Sequence, residues 1–238
     1  MRRAGAIVGK LLAFLTPRVA PGVKTKELDR AALEFIKAHP PAEPAFLGYK
    51  GYPATICVSV NEEVVHGIPG ERVIRDGDVV SIDAGVKLEG FYGDAAITIP
   101  VGTVSPQAAR LIEVTQRALA RAITLVRPGH RLSDLSHEIQ QTVEREGFGV
   151  VRDFVGHGIG RAMHEDPPIP NYGPANRGPR LQPGMVLAIE PMVTMGFWEV
   201  EVLQDGWTAV TKDRSLAAHV EHTIAITERG PEVLTRDS

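Results

Sequence analysis

Four acidic residues stand beside short apolar segments in two matched pairs, a pattern that can hold divalent cations. Asp83 ends one apolar run and Asp94 precedes the next, and Glu190 and Glu221 stand in the same relation to two later runs. Buried carboxylates repel one another and lose their hydration, so a group of them requires cations or protons as compensation. Because carboxylates can chelate one ion or bridge two about 3.5–4 Å apart, the pattern predicts a pair of divalent metal ions.

A histidine between two glycines can add a nitrogen donor to these acids. The segment VGHGIGRAMHEDPP carries His157 within Gly-His-Gly and His164 before Glu165. The flanking glycines allow a close approach of the backbone and so help to aim the ring of His157. A nitrogen ligand in an oxygen-rich site favours Mn²⁺, Fe²⁺, Co²⁺ or Zn²⁺ over Mg²⁺ and Ca²⁺.

The two acidic pairs also belong to an internal repeat of the chain. An offset of 107 residues, from 83 to 190, places Asp83 on Glu190 and aligns the apolar positions of two helical segments. We therefore predict a single catalytic domain, 1–238, made of two pseudo-symmetric halves at about 1–104 and 105–238. The four acids are expected to meet on the pseudo-two-fold axis.

Each half begins with two predicted helices. An amphipathic pattern indicates a helix at the N-terminus, and Thr25 is expected to cap the second helix. Ser105 followed by Pro106 is typical of the start of a helix. Ser133 is expected to cap the fourth helix, which should run to Gly147.

The first acidic pair is expected on a β-hairpin. We predict that Asp83 closes one strand and that Asp94 opens the next, with Gly85, Gly90 and Gly93 in and around the loop between them. An antiparallel hairpin of this kind brings both carboxylates to the same end of the sheet.

Composition excludes several classes of protein. The net charge of −3 and the pI near 6.2 show no basic bias, so nucleic acid is not an expected partner and a two-metal nuclease is disfavoured. The single cysteine, Cys57, cannot form an intramolecular disulfide and fits a reducing compartment. No apolar run approaches the ~18 residues of a membrane span. We therefore expect a cytoplasmic protein.

Motifs spread over nearly the whole chain form a specific set: His66-Gly-Ile-Pro, Asp83, Asp94, Gly156-His157-Gly158, His164-Glu-x-Pro, Glu190-Pro191, Asp205-Gly-Trp-Thr and Glu221-His-Thr. This set resembles type I methionine aminopeptidase. The resemblance implies the pita-bread (creatinase/aminopeptidase) fold, an α/β (α+β) domain with a curved antiparallel sheet and helices on its outer face. It also implies two divalent metal ions, with Co, Mn, Fe and Zn as the candidates.

The resemblance assigns roles to the acids and to one histidine. Asp83 would chelate one metal ion, His157 and Glu190 would bind the other, and Asp94 and Glu221 would bridge both. Water activated by the two ions would attack the first peptide bond, and Glu190 would accept its proton.

Two further histidines and an apolar pocket are implied as well. His66 and His164 would be catalytic residues that contact the scissile amide and stabilise the charge that develops on it. The methionine pocket would contain aromatic and small apolar side chains, with Cys57 as a buried apolar residue rather than a reactive thiol. The substrate-binding residues implied are Tyr49, Tyr52, Cys57, His66, His164 and Trp207, with Phe46 and Met163 as wall residues.

The function implied is removal of the N-terminal methionine from nascent proteins and peptides with a small second residue. The expected protein is a monomer that makes transient contact with the ribosome. Two alternatives stay open at this point. One is an X-Pro-specific aminopeptidase of the same fold, a group that usually carries an added N-terminal domain. The other is a non-catalytic binding protein of that fold.

Overall fold

A computed structural model describes residues 1–236 of the chain. Its helices are α1 (Arg2–Leu15), α2 (Thr25–Lys37), α3 (Pro106–Thr124) and α4 (Leu132–Glu144), with short 3₁₀ turns at Thr16–Arg18 and Tyr49–Gly51. Its strands are β1 (Glu43–Pro44), β2 (Ile56–Val60), β3 (Glu63–Val65), β4 (Val79–Leu88), β5 (Phe91–Pro100), β6 (Gly149–Val150), β7 (Gly156–Gly158), β8 (Glu165–Ile169), β9 (Val186–Ile189), β10 (Met192–Thr194), β11 (Val200–Val202), β12 (Ala209–Thr211), β13 (Ala217–His219), β14 (Glu221–Thr227) and β15 (Gly230–Val233).

One large antiparallel sheet organises these strands. Its order is β1-β4-β5-β14-β9-β7-β8, with β2 added on β4 and β15 on β14. Two smaller sheets, β13-β10-β6 and β11-β12-β3, extend it. The acidic pairs therefore come from strands that are neighbours in the middle of the large sheet.

The helices cover one face of this sheet. Along β4, Val80, Ile82 and Ala84 belong to a buried apolar cluster with α1 and α2. A second cluster joins α3 and α4 to Leu187 and Ile189 of β9. Because side chains alternate between the two faces of a strand, the acids face away from the helices. None of the described helices has the length and apolarity needed to cross a membrane.

The predicted helices are present, with two corrections at their starts. Ser105 caps α3 as predicted, since its Oγ accepts a hydrogen bond from the backbone N–H of Ala108 at 3.1 Å. Thr25 and Ser133 do not cap their helices, because Thr25 Oγ1 bonds with Gly70 and Ser133 Oγ accepts from the N–H of Arg177 at 2.6 Å.

The caps are instead made at Lys24, one residue before Thr25, and at Arg131, two residues before Ser133, and in the same way in both helices. The backbone N–H of Lys24 donates to Glu27 at 2.8 Å, and that of Arg131 donates to Asp134 at 2.8 Å. Helix α4 ends at Glu144 rather than Gly147, so both its bounds follow those of α2 at the repeat offset. The division of the chain into two halves stays a prediction.

The hairpin of the first acidic pair is longer than predicted. The strands β4 and β5 turn at 89–90, so Asp83 and Asp94 lie inside strands rather than at their ends. Gly90 lies in the turn, with φ of 79°, but Gly85 and Gly93 misled the prediction because they lie within strands and serve packing. A Cβ atom at Gly93 would lie 2.8 Å from the backbone nitrogen of Gly5 in α1, so glycine is what lets the helix approach the sheet.

Candidate metal centre

Strand register brings three of the acids onto one face of the sheet. Asp83 is paired with Ala96, which is also paired with Glu221 on its other side. Asp94 is paired with Gly85, two positions along the same strands. The hydroxyl of Thr223 fixes the backbone of Asp94 by accepting from its N–H at 3.0 Å and donating to its carbonyl at 2.7 Å.

Glu190 and His157 complete the group from neighbouring strands. His157 lies on β7 and Glu190 directly follows β9. His157 Nε2 is 3.6 Å from Glu190 Oε1 and 3.9 Å from Asp94 Oδ2. These distances exceed those of normal N–H···O hydrogen bonds, so the groups converge without bonding one another.

The protonation of His157 leaves a lone pair directed at the acids. Its Nδ1 lies 2.8 Å from the carbonyl oxygen of Gly158, which can only accept a hydrogen bond. Nδ1 therefore carries the proton, and Nε2 presents its lone pair to the carboxylates. A lone pair facing carboxylate oxygens is repulsive unless a cation or a proton lies between them.

The burial of these carboxylates increases the cost of leaving their charges uncompensated. Asp94 and Glu221 are only 4% and 2% exposed. Within residues 1–236, Asp83 Oδ1, Asp94 Oδ1 and Glu221 Oε1 have no hydrogen-bond partner. Such buried, unpaired carboxylate oxygens together with an imidazole nitrogen are a donor set that fits divalent first-row metals.

The acids also hold protons strongly in the metal-free protein. Burial raises the pKa of Asp83 and of Glu190 to about 7. Burial, with repulsion from the neighbouring carboxylates, raises the pKa of Asp94 and of Glu221 well above the usual range. Protons and metal ions therefore compete for the same oxygens.

His66 and His164 line the same cavity as this group. Burial lowers the pKa of each to about 4, so both imidazoles are neutral at pH 7. The His164 ring is 4.2 Å from the ring of His157, and its Nδ1 is hydrogen-bonded to Tyr49 Oη at 2.9 Å. His66 has a left-handed backbone, with φ of 61°, and its ring lies 6.4 Å from that of Trp207.

The acids and histidines open into one cavity of about 180 Å³. Tyr52 and Trp207 meet edge to face in its wall, with ring centres 5.1 Å apart. Cys57 is buried, and burial raises the pKa of its thiol, as expected of a small apolar residue. The structure thus brings together every predicted site residue: Phe46, Tyr49, Tyr52, Cys57, His66, Asp83, Asp94, His157, Met163, His164, Glu190, Trp207 and Glu221.

The sequence prediction missed two residues of this region. Lys50 lines the cavity beside Tyr49. His219 is 2% exposed, and its Nε2 lies 3.5 Å from Glu190 Oε2. The signal for His219 was its position two residues before Glu221, a separation at which the side chains of an extended chain point the same way. In the structure β13 ends at His219 and β14 begins at Glu221, and the ligand atoms of Glu190, His219 and Glu221 lie within 4.8 Å of one another.

With this geometry in place, the comparison with known proteins defines the class. The chain belongs to metallopeptidase family M24, since the model of that family matches residues 1–228. It is therefore a hydrolase of a class that uses divalent metal, and the cluster of carboxylates with His157 lies where such ions can bind.

Individual relatives within this family indicate which kind of metallopeptidase the chain resembles. Methionine aminopeptidase 1 of Bacillus subtilis is 56% identical over 236 residues, which cover 99% of this chain and 95% of the relative. The crystal structure of methionine aminopeptidase from Thermotoga maritima has a TM-score of 0.97 at 51% identity, covering 99% of this chain and 95% of that one.

A more distant neighbour shows how widely the fold is shared. Prolidase from Pyrococcus furiosus has a TM-score of 0.81 at 23% identity, covering 100% of this chain and 63% of that one. This likeness concerns the fold alone. Together these structures confirm the predicted pita-bread fold.

Proposed function

We propose that this protein hydrolyses the first peptide bond of polypeptides that begin with methionine. The observation that carries the proposal is that the metal-binding group and an apolar, aromatic pocket open into the same cavity. The relatives named methionine aminopeptidase support it over almost the full length of the chain.

The pocket suits a methionine side chain. Tyr52 is 4% exposed, and its hydroxyl donates to the carbonyl of Gly67 at 3.0 Å, so the ring rather than the hydroxyl faces the cavity. Aromatic rings and Met163 offer a thioether favourable, polarisable contacts. Cys57 is also buried and lines the same cavity. A free α-amine of the substrate could coordinate a metal ion, which would favour an exopeptidase.

The metal centre is proposed to hold two divalent ions. Asp83 would chelate one, His157 and Glu190 would bind the other, and Asp94 and Glu221 would bridge them. Support comes from the ligand atoms of Asp94, His157 and Glu221, which all lie within 4.8 Å of one another. When bound, divalent ions supply Lewis acidity and lower the pKa of water. Co, Mn, Fe and Zn are the candidates.

The side chains around the metal centre are proposed to have the other catalytic roles. Glu190 is proposed as the general base, because burial raises its pKa to about 7 and so matches it to proton transfer near neutral pH. His66 and His164 are neutral N–H donors that can stabilise charge on the scissile carbonyl oxygen. Tyr49 would donate to Nδ1 of His164, which leaves Nε2–H available for the substrate.

The biological setting is proposed from the same resemblance. Substrates would be peptides and nascent chains with a small second residue, cleaved in the cytoplasm by a monomer in transient contact with the ribosome. Co-sedimentation with ribosomes and analytical ultracentrifugation would test the contact and the monomer.

Peptide cleavage tests the function directly. The protein would be chelated and then assayed on Met-Gly-Met-Met and on an X–Pro peptide after addition of Mn²⁺, Fe²⁺, Co²⁺ or Zn²⁺. We expect metal-dependent release of free methionine from Met-Gly-Met-Met. Cleavage confined to the X–Pro bond would assign a prolidase-like activity instead. Metal binding without any cleavage would indicate a binding protein.

A further inference from the structure

His219 is a buried histidine beside Glu190 to which the proposed function gives no role. Its Nε2 lies 3.5 Å from Glu190 Oε2. His157 approaches the other oxygen, Oε1, at 3.6 Å. Each oxygen of the proposed base therefore faces a different imidazole.

The backbone of His219 is held rigidly. The Thr98 hydroxyl accepts from the N–H of His219 at 2.9 Å and donates to its carbonyl at 2.6 Å. Ser81 Oγ lies 2.9 Å from the same hydroxyl, and all three residues are buried. This small polar network fixes the point from which the imidazole reaches Glu190.

The two imidazoles differ in where their proton can lie. In the neutral ring of His157, the contact of Nδ1 with a carbonyl leaves Nε2 without a proton. His219 Nε2 has no hydrogen-bond partner within residues 1–236, and it is buried. It is therefore free to carry a proton, and Glu190 Oε2 is an acceptor 3.5 Å away.

The two imidazoles also differ in their relation to the cavity. Of the described residues, the cavity is lined by all five proposed metal ligands but not by His219. A side chain in that place can act on the carboxylate without contacting an ion or the substrate.

We propose that His219 is a positioning residue, whose Nε2–H donates to Glu190 Oε2 and so directs Oε1 toward His157 and the cavity. This rests on the proposed function, in which Glu190 is both ligand and base. A charge-assisted bond of this kind is about 2.7–2.9 Å long, so the present 3.5 Å requires a shift of well under 1 Å. The terminal torsion of a glutamate allows it readily.

Three variants test the proposal. His219→Leu removes the donor, and His219→Gln restores an N–H donor on a shorter, uncharged side chain. His222→Gln is the matched control, because that histidine is three residues further on and its Nδ1 is hydrogen-bonded to Thr235 Oγ1 at 2.9 Å. For each we would measure kcat and KM on Met-Gly-Met-Met, the number of Co²⁺ ions bound and the Co²⁺ absorption spectrum.

For His219→Leu we expect kcat to fall about 10–100-fold, as is usual when the partner of a metal-ligating residue is lost, with KM changed by less than about threefold. The number of Co²⁺ ions bound should stay the same, while the absorption spectrum changes. His219→Gln should recover kcat to within about fivefold, together with the original spectrum, and His222→Gln should match the unsubstituted protein.

Other results would overturn the proposal. Loss of one Co²⁺ ion in both His219 variants would make His219 a metal ligand, a role that its grouping with Glu190 and Glu221 within 4.8 Å would allow. An unchanged kcat in His219→Leu, or no recovery in His219→Gln, would remove the positioning role. Absence of cleavage by the unsubstituted protein would refute the proposed function, and the Co²⁺ spectra alone would then decide the role of His219.

Discussion

Glu190 carries more proposed roles than any other residue in this protein. It is proposed as a metal ligand and as the general base. One of its carboxylate oxygens lies near the imidazole of His157, and the other lies near that of His219. Its backbone carbonyl accepts a hydrogen bond from the Asn171 side chain at 3.0 Å, which fixes the end of β9. A change confined to its carboxylate should therefore alter chemistry much more than folding.

Glu190→Gln keeps the size of this side chain but removes its charge and its basicity. We expect kcat to fall by about 10²–10⁴-fold, the usual range for loss of a general base. Circular dichroism and thermal unfolding should show an intact fold. Glu228→Gln, at an exposed carboxylate, is the control and should retain full activity. A kcat near normal for Glu190→Gln would refute its role as the base.

His66→Ala separates a catalytic donor from a metal ligand. Because His66 is proposed to contact the substrate and not an ion, kcat should fall while the metal content, measured by mass spectrometry, stays unchanged. His39, which stacks on Phe35, provides a control histidine for the same substitution. If metal binding were lost with His66, that residue would have to be reassigned as a ligand.

The site residues were predictable from the sequence to different degrees. The paired acids and Gly-His-Gly stand in motifs, so type and spacing were sufficient to find them. His219 was missed because its partner Glu190 is 29 positions earlier, from 219 to 190, and the pairing of β10 with β13, in which His219 lies opposite Met192, brings them together. Contacts that depend on strand register cannot be read from local spacing.

At the scale of elements, helix starts and strand lengths were the weakest predictions. Thr25 and Ser133 are good capping residues by type, yet their hydroxyls bond to distant loops, and an acid in the first turn makes the cap instead. Gly85 and Gly93 suggested a loop but lie within strands. Local preferences gave way to tertiary contacts in both cases.

The close approach of α1 to β5 gives a prediction at this scale. Gly93→Ala would place a Cβ atom against the backbone of α1, which cannot move as a flexible side chain could. We expect a loss of about 1–3 kcal/mol in the free energy of unfolding, measured by urea denaturation. Gly70→Ala is the control, because its nearest contact would be 3.9 Å away. Equal stability of both variants would show that α1 shifts freely on the sheet.

At the scale of the whole molecule, the metal centre should give the stability of the protein an unusual dependence on pH. Four carboxylic acids at the centre have raised pKa values in the folded, metal-free protein, about 7 for Asp83 and Glu190. In the unfolded chain these groups titrate near pH 4. Their contribution to stability is therefore present at low pH and is lost as the pH rises through about 7.

Buried histidines act in the opposite direction but at lower pH. Burial lowers the pKa of His66 and His222 to about 4, and also lowers that of His219. Their contribution is present above the unfolded value near 6.5 and is lost as the pH falls. The window in which the acids dominate is therefore between about pH 6.5 and 8.

In this window the metal-free protein should become more stable as the pH is lowered. We expect a gain on the order of 1–3 kcal/mol in the free energy of unfolding between pH 8 and pH 6.5, from urea titrations in the presence of a chelator. With saturating metal the trend should reverse, because protons then compete with the bound ions and weaken their stabilising effect. If the metal-free protein were instead more stable at pH 8, the four carboxylates would be ionised in the folded state. Their site would then be accessible to water rather than buried.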